Sequence, residues 1–546
     1  MGGRLLIEAK LGWLQKLARL LGARPAAPVL AGYVLKPLFP TSLHRSPLAL
    51  RAEAADWWLA TPTSPVNLEP WDQAHAAAER LGYLNYVEPD ATFRAPLPPP
   101  GADPAWPPVE PVSPAWHLEK AFTGFAEVRA MTGGAGVRIA HLDTGYAPGR
   151  PSRPRRLRED LAWDFWTGQP GAVDTGGSES AFPATMANNR AAPGHGTATL
   201  ALLAGDRLRL AAGDNVFDDD FGGAPEAEVA PVRIAPTLTE VTTAAMAQGI
   251  AYALAPRGDP SSRCDVIAIS HGGPPTASWA RAVNDAYEAG VVVVAAAGDN
   301  VNVGETDTLA HAITYPAAFQ RVIAVTGATY AKAPYQTQRL LALQGNFGPK
   351  PAMQTTIAAF TPNIAWMDAF GARIFTQNGG GTSAAAPQVA AACALWLGLH
   401  GQRLPRDWRR AEACRLALFE SVRRTGQMGP DPRLGWGILD VPVFLDAQRA
   451  AAVITRILSG AVQKSPPDMV DFSLFRLLFG APPTGATAER MYEAEMAQVM
   501  RASDHKALLQ AAYAAAERQP PPAPPQSLRQ ALKDHPISDR LRAWIP

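Results

Sequence analysis

The chain has 546 residues, 47% of them hydrophobic, enough for roughly two to four domains with sizeable cores. Its 50 basic and 49 acidic side chains leave a formal charge of +1, which argues against a nucleic-acid binder or a receptor for strongly acidic partners. Three scattered cysteines, Cys264, Cys393 and Cys414, do not make a disulfide framework or a metal cluster and read as buried thiols.

Taken in chain order, residues 1–27 place Ile7, Leu11, Leu14, Ala18 and Leu21 at helical spacing and predict an amphipathic helix packed on its own protein. Arg4, Glu8, Lys10, Lys16 and Arg19 interrupt that apolar run, so it is not a secretory signal. Leu6 stands where a myristoylation pattern needs Ser or Thr. Residues 28–94 read as a small α+β unit, with strands over Val29–Leu35 and Leu84–Asp90 and a helix over Trp71–Leu81. Residues 95–115 are proline-rich and predict an extended tether.

From 116 to 448, short apolar runs alternate with helical patterns. Strands are expected over Val137–Leu142, Glu228–Ile234, Val266–Ser270, Val291–Ala296 and Val322–Thr326. Helices are expected after His195 and over Glu240–Ala253, Thr276–Ala289 and Ser383–Leu399. Nearly all-apolar strands between helices indicate an α/β fold, a doubly wound and mostly parallel sheet covered on both faces. Reactive groups in such sheets gather at the carboxyl ends of the strands, where Asp143, Ser270 and Gly298 fall. Residues 449–546 predict a helical extension packed on the central domain. No stretch approaches the roughly 20 uncharged apolar residues of a membrane span, so the chain is expected to be soluble and intracellular.

Three short motifs carry chemistry. Asp143 ends the run Val137-Arg-Ile-Ala-His-Leu-Asp143, His195 lies between glycines in Pro193-Gly-His-Gly-Thr197, and Ser383 opens an Ala-rich helix in Gly381-Thr-Ser-Ala-Ala-Ala-Pro387. A carboxylate at a strand end can be buried and aimed at an imidazole. Glycines beside a histidine are expected to keep its surroundings open, and a helix-opening serine has a free backbone N–H beside it. Together these are the nucleophile, base and orienting acid of acyl transfer. His141, on the strand before Asp143, is expected to be structural.

The order Asp, His, Ser with these motifs resembles the subtilisin family of serine peptidases, over roughly Trp116 to Ala447. The resemblance extends to Ser270-His-Gly-Gly273, Val291-Val-Val-Val-Ala-Ala-Ala-Gly298 and Gly435-Trp-Gly-Ile-Leu-Asp440. It implies a peptidase domain of subtilisin type acting on proteins or peptides, with no cofactor required for catalysis. It makes Tyr86-Val-Glu-Pro-Asp90 the last strand of a propeptide-like domain that covers the cleft, with an activating partner protein as a further possibility. It assigns substrate binding to Ser270, His271, Gly272, Gly273 and Gly298, with His271 as a pocket wall and Thr314 at the bottom of the primary specificity pocket. It also raises a structural calcium site, for which Asp214, Asp218, Asp219 and Asp220 are candidates, a solvated acidic loop being the plainer reading.

One position departs from the family. An oxyanion-hole asparagine is usual after Gly298, and here Asp299 stands with Asn300 following. An ionised carboxylate cannot donate and repels developing negative charge. Three arrangements rescue the hole: a protonated Asp299, Asn300 turned inward, or Thr382 and the Ser383 N–H acting alone. A catalytically impaired scaffold that binds peptides is the alternative.

Overall fold

The computed structural model describes residues 3–10, 27–39, 55–94, 113–176, 194–301, 312–337, 342–424, 429–468, 486–501 and 537–544. The chain begins with an antiparallel sheet of β1 (Leu5–Lys10), β2 (Tyr33–Pro37), β3 (Ala55–Pro62) and β4 (Tyr86–Pro89), in spatial order β2-β3-β1-β4. The helix expected over 1–27 therefore fails at its start. Leu5, Leu6 and Ile7 form a central strand that pairs with both β3 and β4. All three are fully buried, in one core with Ala74 and Ala77 of the small domain and Met246, Ile250 and Val283 of the central one. A run buried on both faces satisfies a strand as well as a helix, and only the partners decide between them. The rest of that prediction, 11–26, lies outside the described residues, as does most of the tether.

Helix α1 (Pro70–Arg80) covers this sheet. Its first turn is capped by Glu69, whose carboxylate accepts the Trp71 and Asp72 N–H groups at 2.8 and 3.0 Å. After β4, the short β5 (Thr92–Arg94) leaves this unit and pairs with the central domain.

The central domain is built on β6 (Arg138–Asp143), β7 (Trp163–Asp164), β8 (Gln169–Pro170), β9 (Glu228–Arg233), β11 (Val266–Ile269), β12 (Val292–Ala296), β13 (Val322–Ala328) and β14 (Thr356–Phe360). Their order is β14-β13-β12-β11-β6-β9-β7-β8, parallel except for the β7–β8 hairpin. The two-residue period of the strands splits their side chains between two cores. Val292, Val294 and Ala296 face α2 (His195–Ala204) and α5 (Thr382–His400), while Val293 and Ala295 face α3 (Thr243–Tyr252) and α4 (Ala277–Glu288). Helix α5 is buried along most of its length, and its alanines let it lie close to the sheet. By length and composition Thr382–Arg403 could cross a membrane, but 89% of its most apolar window is buried, as befits a core helix.

Two local expectations change. Glu240–Thr242 is not helical; it forms β10, an edge strand paired antiparallel with β5, and α3 starts only after it. The segment with Asp214, Asp218, Asp219 and Asp220 is a β-hairpin, Arg207–Ala212 with Asn215–Asp220. Asp218 pairs with Arg207 at 3.0 Å, and Asp220 with Arg155. Guanidinium groups thus occupy the Asp218 and Asp220 carboxylates.

Beyond helices α6 (Trp408–Glu420) and α7 (Ala447–Leu458), Asp468 anchors the chain on the central domain by accepting the Gln320 and Arg321 N–H groups at 2.6 and 3.0 Å. The extension then supplies α8 (Ala486–Arg501) and α9 (Asp539–Trp544). These helices lie chiefly against α1 and β4 of the small domain, where packing on the central domain was expected.

Candidate active site

Asp143 ends β6 and is fully buried. One carboxylate oxygen accepts the Thr144 N–H and the His195 Nδ1–H, each at 2.7 Å; the other accepts the Thr199 hydroxyl at 2.9 Å. The single Thr199 proton is spent there, so His141 Nε2, 2.9 Å from the same hydroxyl, is the donor to it. His141 thus steadies the acid from behind. Burial by itself would push the Asp143 carboxyl up. The His195 charge and hydrogen bond, with His271 and His141, outweigh burial and hold it well below the usual carboxylate range.

His195 opens α2, between Gly194 and Gly196. The glycines do not keep space open. A Cβ at Gly196 would lie 2.1 Å from the Gly145 carbonyl oxygen, and one at Gly194 2.3 Å from the Ala369 Cβ. Gly196 lets the start of α2 press against the Thr144-Gly145 turn, and Gly194 lets it pass Ala369, which together set the imidazole on Asp143. His195 Nε2 is left without a hydrogen bond, beside the Trp366 ring at 5.6 Å.

Ser383 is the second residue of α5, and its hydroxyl lies 3.4 Å from the Ser270 carbonyl at the end of β11. Ser270 Oγ in turn approaches the Ser383 carbonyl at 3.3 Å. The N-terminal N–H groups of a helix have no partner in their own helix, so this end of α5 is a natural anion cradle.

Asp299 sits under that same helix end. It accepts the Thr382 N–H at 2.8 Å and meets the Thr382 hydroxyl at 3.3 Å. Burial raises its carboxyl to about 6, against the Thr382 contacts and the His195 charge, which favour the ionised form. Asn300 does not turn inward: its amide donates to Asn346 at 2.8 Å and accepts from Gln344 at 3.1 Å. Successive strand residues face opposite sides, and Asp299–Val301 is a strand.

The expected substrate edge is partly committed. Gly273 exchanges both backbone hydrogen bonds with Tyr315, at 2.8 and 2.9 Å. Gly272 and Gly298 face each other across Thr314: added Cβ atoms would lie 2.3 and 2.8 Å from its hydroxyl oxygen. Thr314 therefore fills the gap between the two segments. His271 is no pocket wall. It is buried behind the acid, with Nε2 3.3 Å from the Thr237 carbonyl and Nδ1 3.9 Å from Asp143 Oδ1. The carbonyl can only accept, so Nε2 donates to it. Burial lowers the His271 basicity. Asp143, His195 and His271 bring donor atoms within 4.8 Å of one another.

Beside this site the small domain docks through residues that the sequence did not single out individually. Glu88, fully buried, accepts the Ala277 and Ser278 N–H groups at the start of α4, at 2.9 and 3.1 Å. Asp90 accepts the Ala244 N–H at the start of α3, at 2.8 Å, and pairs with Arg4. The two-residue strand period that puts Glu88 and Asp90 on one face was the available signal. Phe93 of β5 meets Trp279 edge-on at 5.6 Å.

The family model of the subtilases matches residues 134–437, which include every one of these central-domain groups. The chain belongs to the subtilase family. Subtilisin DY of Bacillus licheniformis is 29% identical over 178 residues, 32% of this chain and 56% of its own length. The minor extracellular protease Epr of Bacillus subtilis strain 168 is 26% identical over 332 residues, 59% of this chain and 40% of its own length. The chain thus spans about half the length of these curated relatives. The subtilase match excludes the small domain and the extension.

Proposed function

We propose that this subtilase is a serine endopeptidase whose N-terminal domain restrains it. The observation that carries the reading is the His195 imidazole, held through Nδ1 by buried Asp143 with Nε2 without a hydrogen bond, on a helix that packs against α5, which opens with Ser383 as its second residue. Ser383 Oγ attacks the peptide carbonyl, and His195 takes its proton and returns it to the leaving amine. Asp143 fixes the tautomer and stabilises the imidazolium, and water then hydrolyses the acyl-enzyme. The Ser383 N–H is the donor at hand for the oxyanion, since Asp299 already holds that of Thr382. Thr314 makes the primary pocket shallow, which suits small side chains at the cleaved position.

Carboxylates that cap α3 and α4, and a strand added to β10, support the inhibitory role of the N-terminal domain. Asp299 favours one second reading, an impaired enzyme kept as a peptide-binding scaffold. A fluorophosphonate probe decides between them. Labelling of the protein freed of residues 1–115, lost in Ser383→Ala, supports the enzyme; a silent serine across pH 5–9 supports the scaffold.

A further inference from the structure

The N-terminal domain also docks on the chain's own C-terminal helices. Arg490 of α8 bonds Glu8 of β1 at 2.9 Å and lies over the Tyr86 ring of β4 at 4.7 Å. Tyr492 stacks on His75 of α1 with ring centres 4.5 Å apart. Gln498 bridges the two domains, accepting the Trp71 indole N–H at 3.0 Å and donating to the Pro275 carbonyl at 3.3 Å. Met491 and Ala494 are fully buried in the core shared by both domains.

Helix α9 locks α8 in turn. Glu495, fully buried, accepts the Ser538 N–H and hydroxyl at 2.6 and 2.9 Å, and the Asp539 and Arg540 N–H groups bond Asp72 of α1 at 2.9 and 3.3 Å. Arg540 also reaches the Tyr83 hydroxyl at 3.1 Å and pairs with Glu79.

We infer that the C-terminal extension is a clasp that retains the N-terminal domain on the peptidase domain after the proline-rich tether is cut. The inference rests on the inhibitory role proposed above, but the clasp is a matter of retention and has its own readout. Asp468 fixes the start of the extension on the peptidase domain, and α8 with α9 grips α1, β1 and β4. A cut within residues 95–112 therefore leaves the freed domain held to a segment that is still covalently joined to the peptidase. That connection keeps it at an effective concentration of about millimolar, so its release is an intramolecular equilibrium. Latency then ends only when the extension is also severed or peeled away.

The test uses the full chain with Ser383→Ala, which cannot process itself, and two foreign protease sites, one within 95–112 and one within 469–485. After the first cut alone, the N-terminal fragment should co-elute with the peptidase domain at nanomolar concentration. After both cuts its apparent dissociation constant should rise about 10²-fold or more, because the millimolar effective concentration is lost. Ala494→Arg, which puts a charge at a buried α8 position, should release the fragment after the first cut alone. Loss of the fragment from the singly cut parent overturns the clasp, and so does equal retention after one cut and two. With Ser383 intact, high activity after the first cut while the fragment stays bound would overturn the inhibitory reading and leave the clasp standing.

Discussion

Asp299 caps the start of α5, and its surroundings pull it in two directions. Burial favours the protonated form, and the Thr382 N–H favours the ionised one, with the balance near pH 6. Below that the acid can donate; above it a buried carboxylate caps α5 next to the developing oxyanion. Activity should thus be held down as pH rises and Asp299 ionises. Asp299→Asn should remove that loss and raise kcat at pH 8, by up to the ~10²–10³-fold that one such donor is worth in subtilisin. Stability gives an independent reading. A carboxyl raised in the fold contributes stability below its unfolded value, near 4, and loses it as pH rises through about 6. Melting temperatures of wild type and Asp299→Asn should therefore diverge between pH 4 and 7, the variant gaining. Identical pH profiles of rate would remove Asp299 from the reaction. Thr314 allows a simpler experiment: Thr314→Gly deepens the pocket between Gly272 and Gly298 and should shift preference towards aromatic residues at the cleaved position. An unchanged ranking across a peptide library would put the pocket elsewhere.

At the scale of elements, the parallel strands and α5 were legible because short, nearly all-apolar runs between helical patterns and a long alanine-rich run leave little choice of structure. The Asp143–His195 pair was legible because each stands at an element boundary with a distinctive neighbour. What the sequence hid depends on partners far along the chain. β1 read as a helix because the strands that flank it come 50 and 80 residues later. His271 read as a pocket wall because nothing local reveals the Thr237 carbonyl that turns its ring inward. Asn300 remained a candidate donor until Gln344 and Asn346 were seen to hold it. The glycines around His195 were noticed for the wrong reason, and the difference can be tested. Gly196→Ala would drive a Cβ into the Gly145 carbonyl oxygen, backbone against backbone, which no side-chain rotation relieves. We expect a lower melting temperature and a rate loss beyond tenfold that extra substrate does not restore, since the imidazole shifts off Asp143. A variant with normal kcat would show that the contact is slack.

On the scale of the whole molecule, the N-terminal domain sits between two parts of one chain, and its grip on the peptidase side runs through two helix ends. Glu88 closes the start of α4 with two hydrogen bonds and Asp90 closes that of α3 with one. Each replaces a solvated helix terminus by a buried carboxylate on the positive end of the dipole, so the cost of desolvating the acid is met only while the two domains are together. Glu88→Ala leaves the Ala277 and Ser278 N–H groups without their buried acceptor, a loss of about 1–3 kcal/mol. That free energy belongs to the docked state and not to the peptidase fold. Inhibition by the N-terminal domain, added in trans to a peptidase lacking it, should weaken by about 5–150-fold. The melting temperature and kcat of the isolated peptidase domain contain no Glu88 and supply the fixed reference. Glu88→Gln keeps the shape and one acceptor, so its inhibition constant should fall between those of wild type and alanine. Equal inhibition constants for all three would mean that the Glu88 contacts contribute nothing to latency, and that restraint comes from the shared apolar core and the β5–β10 strand pairing.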